Sequence, residues 1–413
     1  DLASAYRQLA IADGSLRHSY LSVFDPTVGS AALFQQVALP FGSRSAVNAF
    51  IRCARFLQWV AAKVFILPLS CYFDDFVAFS RPCLCGNTQS TMCLMLDILG
   101  WSFDKEGPKS DDFSSSVSAL GVQFDLSESG CGTLLVHNTQ KRIEDTVALL
   151  QDIVNAGRMS KKESLALRGK LAFCDGFIFG RVGKLALQDI TRHAYSSPFA
   201  AELSERLVDA LLLLRNRLVS GRPRTLTCKM LDSFFIFTDA SFSLTAGGGF
   251  GAFLANQSGQ IISWFSLHVP AARFDAWFLQ GRKNLIGEFE TLTVAIALRL
   301  WGKWVTSSQV MIYIDNEGAK FALIRGYSDS AAISLICQFV ALQLDDKCVL
   351  PWYSRVPSVS NLADYPSRKI KHQFLEDSKC IPEVEAESAF KESFEYVESH
   401  LSMGGGRGLT RPS

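Results

Sequence analysis

The chain has 413 residues, 48% of them apolar and 20% charged, with 31 Phe and a formal net charge of +1. That length allows two or three domains, and the composition excludes a disordered chain. The near-zero charge excludes a globally basic nucleic-acid binder, so any such role rests on local patches.

No apolar run reaches membrane length, which sets aside a membrane role. Eleven cysteines, among them Cys71, Cys174 and Cys337, sit in apolar surroundings. They read as reduced thiols of an intracellular protein, in the cytoplasm or nucleus. The first residue is Asp1, followed directly by Leu2-Ala3-Ser4-Ala5-Tyr6. This start reads as a chain truncated at its N-terminus, beginning inside a domain. By local rules alone Asp1 is a helix cap.

Residues 17–38 alternate weakly and predict two strands joined at Asp25-Pro26-Thr27-Val28-Gly29. Leu39-Pro40-Phe41-Gly42-Ser43-Arg44 is a turn feeding a helix from about Ser45 to Phe65. The stretch from Leu69 to Ser80 holds two short apolar runs around Asp74 and Asp75, which predicts a hairpin. Apolar strands turning over a carboxylate pair hold the two charges close and require their neutralisation, usually by metal.

In this order, Asp1-Leu2-Ala3-Ser4-Ala5-Tyr6, Leu39-Pro40-Phe41-Gly42 and Tyr72-Phe73-Asp74-Asp75 resemble the three catalytic motifs of reverse transcriptases. Leu99-Gly100-Trp101, Lys109-Ser110 and Leu120-Gly121 resemble the two motifs that close the palm and grip the primer. The set is similar to polymerases of LTR and DIRS-like retrotransposons. The resemblance implies that Asp1 and Asp74 bridge two Mg²⁺ ions (Mn²⁺ being the alternative), with Asp75 in support. It implies that Tyr6 lies beneath the sugar, and that Phe41 and Gly42 meet the template base and incoming dNTP. Lys109 would protonate the leaving pyrophosphate, with Lys105 as the competing candidate and a solvated surface lysine as the alternative for either. The partners implied are an RNA template, a DNA primer and dNTPs. The fingers are not part of this resemblance, so the palm of residues 1–135 is expected to be incomplete and its polymerase activity impaired.

Residues 136–232 predict helices, over 139–153, from a Ser160–Glu163 capping box to Phe173, over 177–193 and over 202–218. Residues 141–230 hold 16 Lys and Arg against 9 Asp and Glu. This basic helical stretch resembles the thumb and its connection to the next domain, with Gly221-Arg222-Pro223-Arg224 as linker.

Residues 233–369 predict three strands, a long helix from about Leu285 to Trp304, and then alternating strands and helices. That is an α/β sheet. Acids stand at strand ends and on the facing helix, where such sheets place their sites. Asp239, Glu290, Asp315 and Asp364 are the candidates to converge on two Mg²⁺ ions, four carboxylates that would otherwise repel. Thr238-Asp239-Ala240-Ser241, the glycine-rich second strand, Glu290, Ile314-Asp315-Asn316 and Asn361-Leu362-Ala363-Asp364-Tyr365-Pro366-Ser367-Arg368 resemble ribonuclease H, the last piece its retrotransposon branch. Glu288 lies about 200° round the helix from Glu290 and is expected to face elsewhere. Family members cut the RNA strand of an RNA–DNA hybrid by metal-assisted hydrolysis. The loop from Tyr353 to Ser360 lacks the His that many of them carry.

Residues 370–413 are read as an acidic, glycine-ended tail in which Phe390, Phe394 and Val397 share a helix face. The fold class expected is thus an α+β polymerase palm without fingers, a helical thumb/connection, and an α/β ribonuclease H-like domain. The alternative is a decayed or co-opted fragment that binds nucleic acid without catalysis.

Overall fold

The computed structural model describes residues 2–105, 112–196, 199–274 and 284–403. The chain divides into two compact units, Asp1–Asp125 and Leu126–Ser413. Among the described residues, no helix is long and apolar enough to cross a membrane.

The first unit is built on the Arg44–Lys63 helix, where the sequence predicts one. Ala46, Phe50, Ala54, Leu57, Val60 and Ala61 recur at helical spacing and are buried. They join Leu2, Tyr6, Leu69 and Met95 in one core. The Leu69–Tyr72 and Asp75–Ala78 strands form the expected antiparallel hairpin. Gln58 ties it to the helix, donating to the Leu69 carbonyl at 3.0 Å. A second hairpin, Tyr20–Asp25 with Ser30–Gln35, turns where expected, and Asp25 accepts from the backbone N–H and hydroxyl of Thr27. A third, Ser116–Ala119 with Val122–Asp125, turns through Leu120 and Gly121. Both turn residues have positive φ, 55° and 70°, as a two-residue turn between twisted strands requires.

The second unit begins with helices Gln140–Ala156, Lys161–Asp175, Gly183–Ala194 and Glu205–Ser220. Leu150, Leu167, Leu171, Ile190, Leu211 and Leu214 form their shared core. Ser160 and Glu163 make the predicted capping box. The third helix starts six residues later than the sequence reading places it. Residues 177–182 instead form turns and bends around a single bridge from Ile178 to Pro223, because Phe179 N–H donates to the Arg222 carbonyl and Arg224 N–H donates back to Phe177. Gly180, at φ +78°, lies so close to the Asp345 side chain that a Cβ would overlap it.

The sheet of this unit has six strands. Their order is Leu350–Arg355, Gln309–Ile314, Ser233–Ser243, Gly247–Ala255, Ile261–Val269 and Lys379–Cys380. The three consecutive strands pair antiparallel, and the other neighbours pair parallel. This is a mixed α/β architecture with flanking helices. The Ile286–Trp301 helix packs on the sheet and is buried without interruption from Glu288 to Leu298. A helix hydrophobic all round must be covered on every side. Ala331–Asp346 covers one flank, and the Glu383–Met403 helix covers another.

That last contact is made by the helix face on which the sequence places Phe390, Phe394 and Val397, within the stretch read as a tail. Ala386, Ala389, Phe390, Phe394 and Val397 belong to the main core. Phe390 and Phe394 stack at 5.2 Å, and both rings meet Phe274. The acidic residues that dominate this segment by count lie on the other side of the helix, and the apolar stripe decides where it packs.

Candidate metal centre

In the first unit, Tyr72 pairs with Asp75, leaving Phe73 and Asp74 as the turn of the hairpin. Phe73 takes φ +53°, a conformation a tight hairpin turn imposes. Asp74 is half-buried and Asp75 exposed. Tyr6 is buried, stacked on Phe50 at 4.5 Å and against Phe41 at 4.8 Å. Burial raises its phenol pKa, and the Asp74 charge raises it further. Tyr6 therefore lies within electrostatic reach of Asp74. Gly42, next to Phe41, takes φ +88°, which glycine adopts at little cost. Asp1 and Lys109 lie outside the described residues.

The second constellation is denser. Asp239 lies within the first sheet strand, opposite Gly251, and the strand continues to Ser243 rather than ending at the acid. Asp315 follows directly on the parallel strand Gln309–Ile314. Glu290 projects from the first turns of the buried helix. One carboxylate oxygen from each of Asp239, Glu290 and Asp315 lies within 4.8 Å of the other two. Asp239 and Glu290 are 5% and 2% exposed, so water screens neither charge.

The electrostatics follow from that placement. Burial, with smaller contributions from Asp315 and Asp364, lifts the Asp239 carboxyl to about 6 against a hydrogen bond from Ser367. Burial raises Glu290 well above the ordinary carboxylate range, with the charges of Asp239 and Asp315 adding to it. Glu290 Oε1 accepts from the Ala240 N–H at 3.4 Å, while Oε2 is buried and receives no hydrogen bond among the described residues. A buried carboxylate oxygen with no donor, facing two more carboxylates, is satisfied by a cation. An all-oxygen set fits a hard divalent ion such as Mg²⁺. The residues present thus fit the metal that the sequence implies.

Asp364 stands apart from the three. It opens the short Asp364–Ser367 helix, and its Oδ1 accepts from Arg368 Nε at 2.7 Å. Glu288 does face elsewhere: it is buried and accepts from the Ser330 hydroxyl at 2.8 Å, at the cap of the Ala331–Asp346 helix.

Three polar residues that the sequence reading does not single out hold the acids. Ser367 donates its hydroxyl to Asp239 Oδ2. Asn361 Nδ2 donates to the Thr238 carbonyl at 2.9 Å and approaches Asp239 Oδ1 at 3.5 Å. Ser358 donates to Asp315 Oδ2 at 2.9 Å. Their signal was present, since all three lie within ten residues around Asp364. The glycines of the second strand explain the fit. A Cβ at Gly249 or Gly251 would overlap the backbone of Ser367, so the turn rests directly on the strand.

No family model matches the chain, and no curated protein does. Solved structures give a likeness of fold at low identity. One is the foamy viral protease-reverse transcriptase dRH in complex with ds DNA: 14% identical, covering 86% of this chain and 56% of that one, TM-score 0.46. The foamy viral protease-reverse transcriptase in complex with RNA/DNA hybrid is 11% identical over 89% of this chain and 66% of that one, TM-score 0.40. RNase H1 from the halophilic archaeon Halobacterium salinarum NRC-1 is 12% identical over 32% of this chain and 93% of that one, TM-score 0.27. The chain spans 56% of the length of the first of these.

Proposed function

We propose that the second unit is a metal-dependent ribonuclease H that hydrolyses the RNA strand of an RNA–DNA hybrid. The first unit, on this reading, carries the palm of a retroelement reverse transcriptase. The observation that carries the proposal is the convergence of Asp239, Glu290 and Asp315, two of them buried, on one point. A structural role does not account for three unneutralised acids there, which repel one another and oppose folding.

Divalent ions held by these carboxylates would supply an activated water and neutralise charge at the scissile phosphate. The residues of the chain do the rest. Ser367 and Asn361 fix the Asp239 carboxylate, and Ser358 fixes Asp315. Asp364, now paired with Arg368, would serve as a fourth ligand when a cation is bound. In the palm, Asp74 and Asp75 act with Asp1 on the primer terminus and dNTP, Tyr6 discriminates the sugar, Phe41 and Gly42 seat the base pair, and Lys109 serves the leaving group.

The test is cleavage of a labelled RNA–DNA hybrid by the full chain with Mg²⁺. Asp239→Asn and Asp315→Asn are expected to lower the rate at least about a hundredfold, as loss of a metal-supplied water does. A hybrid left intact with Mg²⁺ and with Mn²⁺ would overturn the nuclease reading. Hybrid binding without cleavage would return the chain to non-catalytic nucleic-acid binding. Primer extension on an RNA template, abolished by Asp74→Asn, tests the palm separately.

A further inference from the structure

The Arg44–Lys63 helix has a second face that the first unit leaves open. One side is buried in the core, and the hairpin of Asp74 and Asp75 packs there. The other side carries Arg52, Arg55, Phe56, Trp59 and Lys63, all exposed. At helical geometry these five fall within an arc of about 100° and extend about 16 Å along the axis. Phe56 and Trp59 are 55% and 56% exposed, and their rings lie 18° from parallel with centroids 6.3 Å apart.

Single exposed apolar side chains are ordinary, but two aligned rings set among cations are a patterned surface. The charge is one-signed: the helix holds Arg44, Arg52, Arg55 and Lys63 and no Asp or Glu. Lys63 suits the last turn, where it meets the helix dipole. Arg52 and Arg55 are mid-helix, where the dipole gives them no such role. Among the described residues, none of Arg52, Arg55 and Lys63 forms an ion pair.

An occupant complementary to this face is anionic and presents flat apolar surfaces between its charges. A single-stranded nucleic acid has both: phosphates for the cations and unpaired bases for the rings. A duplex hides its base faces, and an acidic peptide leaves the rings unused. A membrane surface needs the apolar side of an amphipathic helix, which here is turned into the protein core. We propose that the outer face of the Arg44–Lys63 helix is a binding platform for single-stranded nucleic acid. It is the face of that helix turned away from the first unit's own core.

The experiment is fluorescence anisotropy of labelled oligothymidylate with the full chain in EDTA, over a salt series. The Arg52→Glu/Arg55→Glu variant is expected to bind at least about tenfold more weakly. Its slope of log affinity against log salt should flatten by about 1.4, two phosphate contacts at about 0.7 each. Trp59→Ala should weaken binding about tenfold with the slope unchanged, and Trp59→Phe should restore most of it. Lys391→Glu, on the C-terminal helix, should bind as wild type. Circular dichroism and hybrid cleavage unchanged in the variants would show that the losses are local. Equal affinity in wild type and both loss variants would overturn the proposal. So would unchanged oligothymidylate binding with loss of binding to phosphatidylserine vesicles, or with conversion of a dimer to a monomer by Trp59→Ala.

Discussion

Ser367 donates its hydroxyl to Asp239 across 128 residues of chain. It does so from a short helix whose backbone rests on Gly249 and Gly251. The same hydroxyl also reaches the Asp364 carbonyl at 3.1 Å, so its rotamer is fixed at both ends. Groups that orient a metal-binding carboxylate typically change metal affinity or activity about 10–100-fold when removed. Ser367→Ala is therefore expected to raise the Mg²⁺ concentration for half-maximal hybrid cleavage by about tenfold. Calorimetric titration with Mn²⁺ should show the same loss without turnover. Unchanged metal affinity in both assays would remove Ser367 from the site.

The raised Asp239 carboxyl predicts how stability depends on pH. Its folded value is about 6 against an ordinary 3.8. Between those values the folded chain holds a proton that the unfolded chain has lost, so stability falls as pH rises from about 4 to about 6. The penalty at neutral pH is on the order of 3 kcal/mol for this group alone. Asp239→Asn should therefore raise the melting temperature of the metal-free chain at pH 7 by several degrees. At pH 4 the difference should vanish. Saturating Mg²⁺ should stabilise the wild type and not the variant. A variant that melts lower than wild type in EDTA at pH 7 would contradict the placement of this carboxylate.

Two glycines separate close approach from mere flexibility. Gly251→Ala would drive a Cβ into the Ser367 nitrogen, which is backbone and cannot swing aside. Overpacking costs about 1–3 kcal/mol and here also displaces the Ser367 hydroxyl from Asp239, so melting temperature and cleavage should fall together. Gly169 is exposed inside the Lys161–Asp175 helix, with open space around its Cβ position. Gly169→Ala should stabilise by about 1 kcal/mol and leave cleavage unchanged. Thermal melts of the two variants decide the matter.

The contrast shows where the sequence was legible. The acids of the candidate metal centre could be named because each follows an apolar run of strand residues or sits on an apolar helix, a local signal. The glycines of the second strand announced close approach but not its object, which proved to be the Ser367 turn some 116 residues away. Glu288 and Glu290 were separable because helical geometry alone puts them on different sides. The shared helix face of Phe390, Phe394 and Val397 was legible from their spacing, but the core it packs into, built from residues far away in the chain, was not. The helix expected from Phe177 begins at Gly183 because the preceding residues pair with residues 222–224. Asp364 was grouped with the other acids by order in the chain, and its pairing with Arg368 arises one helical turn later.

The C-terminal helix is accordingly expected to be indispensable to the folded second unit. Phe394 is 1% exposed and packs edge-on against Phe274. Phe394→Ala should cost about 3–5 kcal/mol through lost burial and the cavity left behind. Removing the whole helix should uncover the Ile286–Trp301 helix that carries Glu290 and yield insoluble protein. A chain ending at residue 378 that remains soluble and cleaves hybrid at the wild-type rate would refute this.

A last prediction concerns a buried ion pair within the helical layer whose guanidinium also reaches the Ala331–Asp346 helix. Arg217 Nε donates to Asp175 Oδ1 at 2.9 Å, with both side chains under 10% exposed. Its other nitrogens reach the Phe179 carbonyl at 2.8 Å and Asp345 Oδ1 at 3.8 Å. Asp345 belongs to the Ala331–Asp346 helix, which packs into the core around the six-stranded sheet. One guanidinium thus neutralises acids from both layers. Arg217→Met should destabilise the chain by about 3–5 kcal/mol, because it leaves Asp175 buried and unpaired. Arg217→Met with Asp175→Leu removes both charges and should recover much of that loss, since an apolar replacement of a buried pair is often neutral. Denaturant melts of the single and double variants measure the coupling. If the double variant is no more stable than the single, the pair is not what Arg217 contributes, and its hydrogen bond to the Phe179 carbonyl, within the helical layer, is.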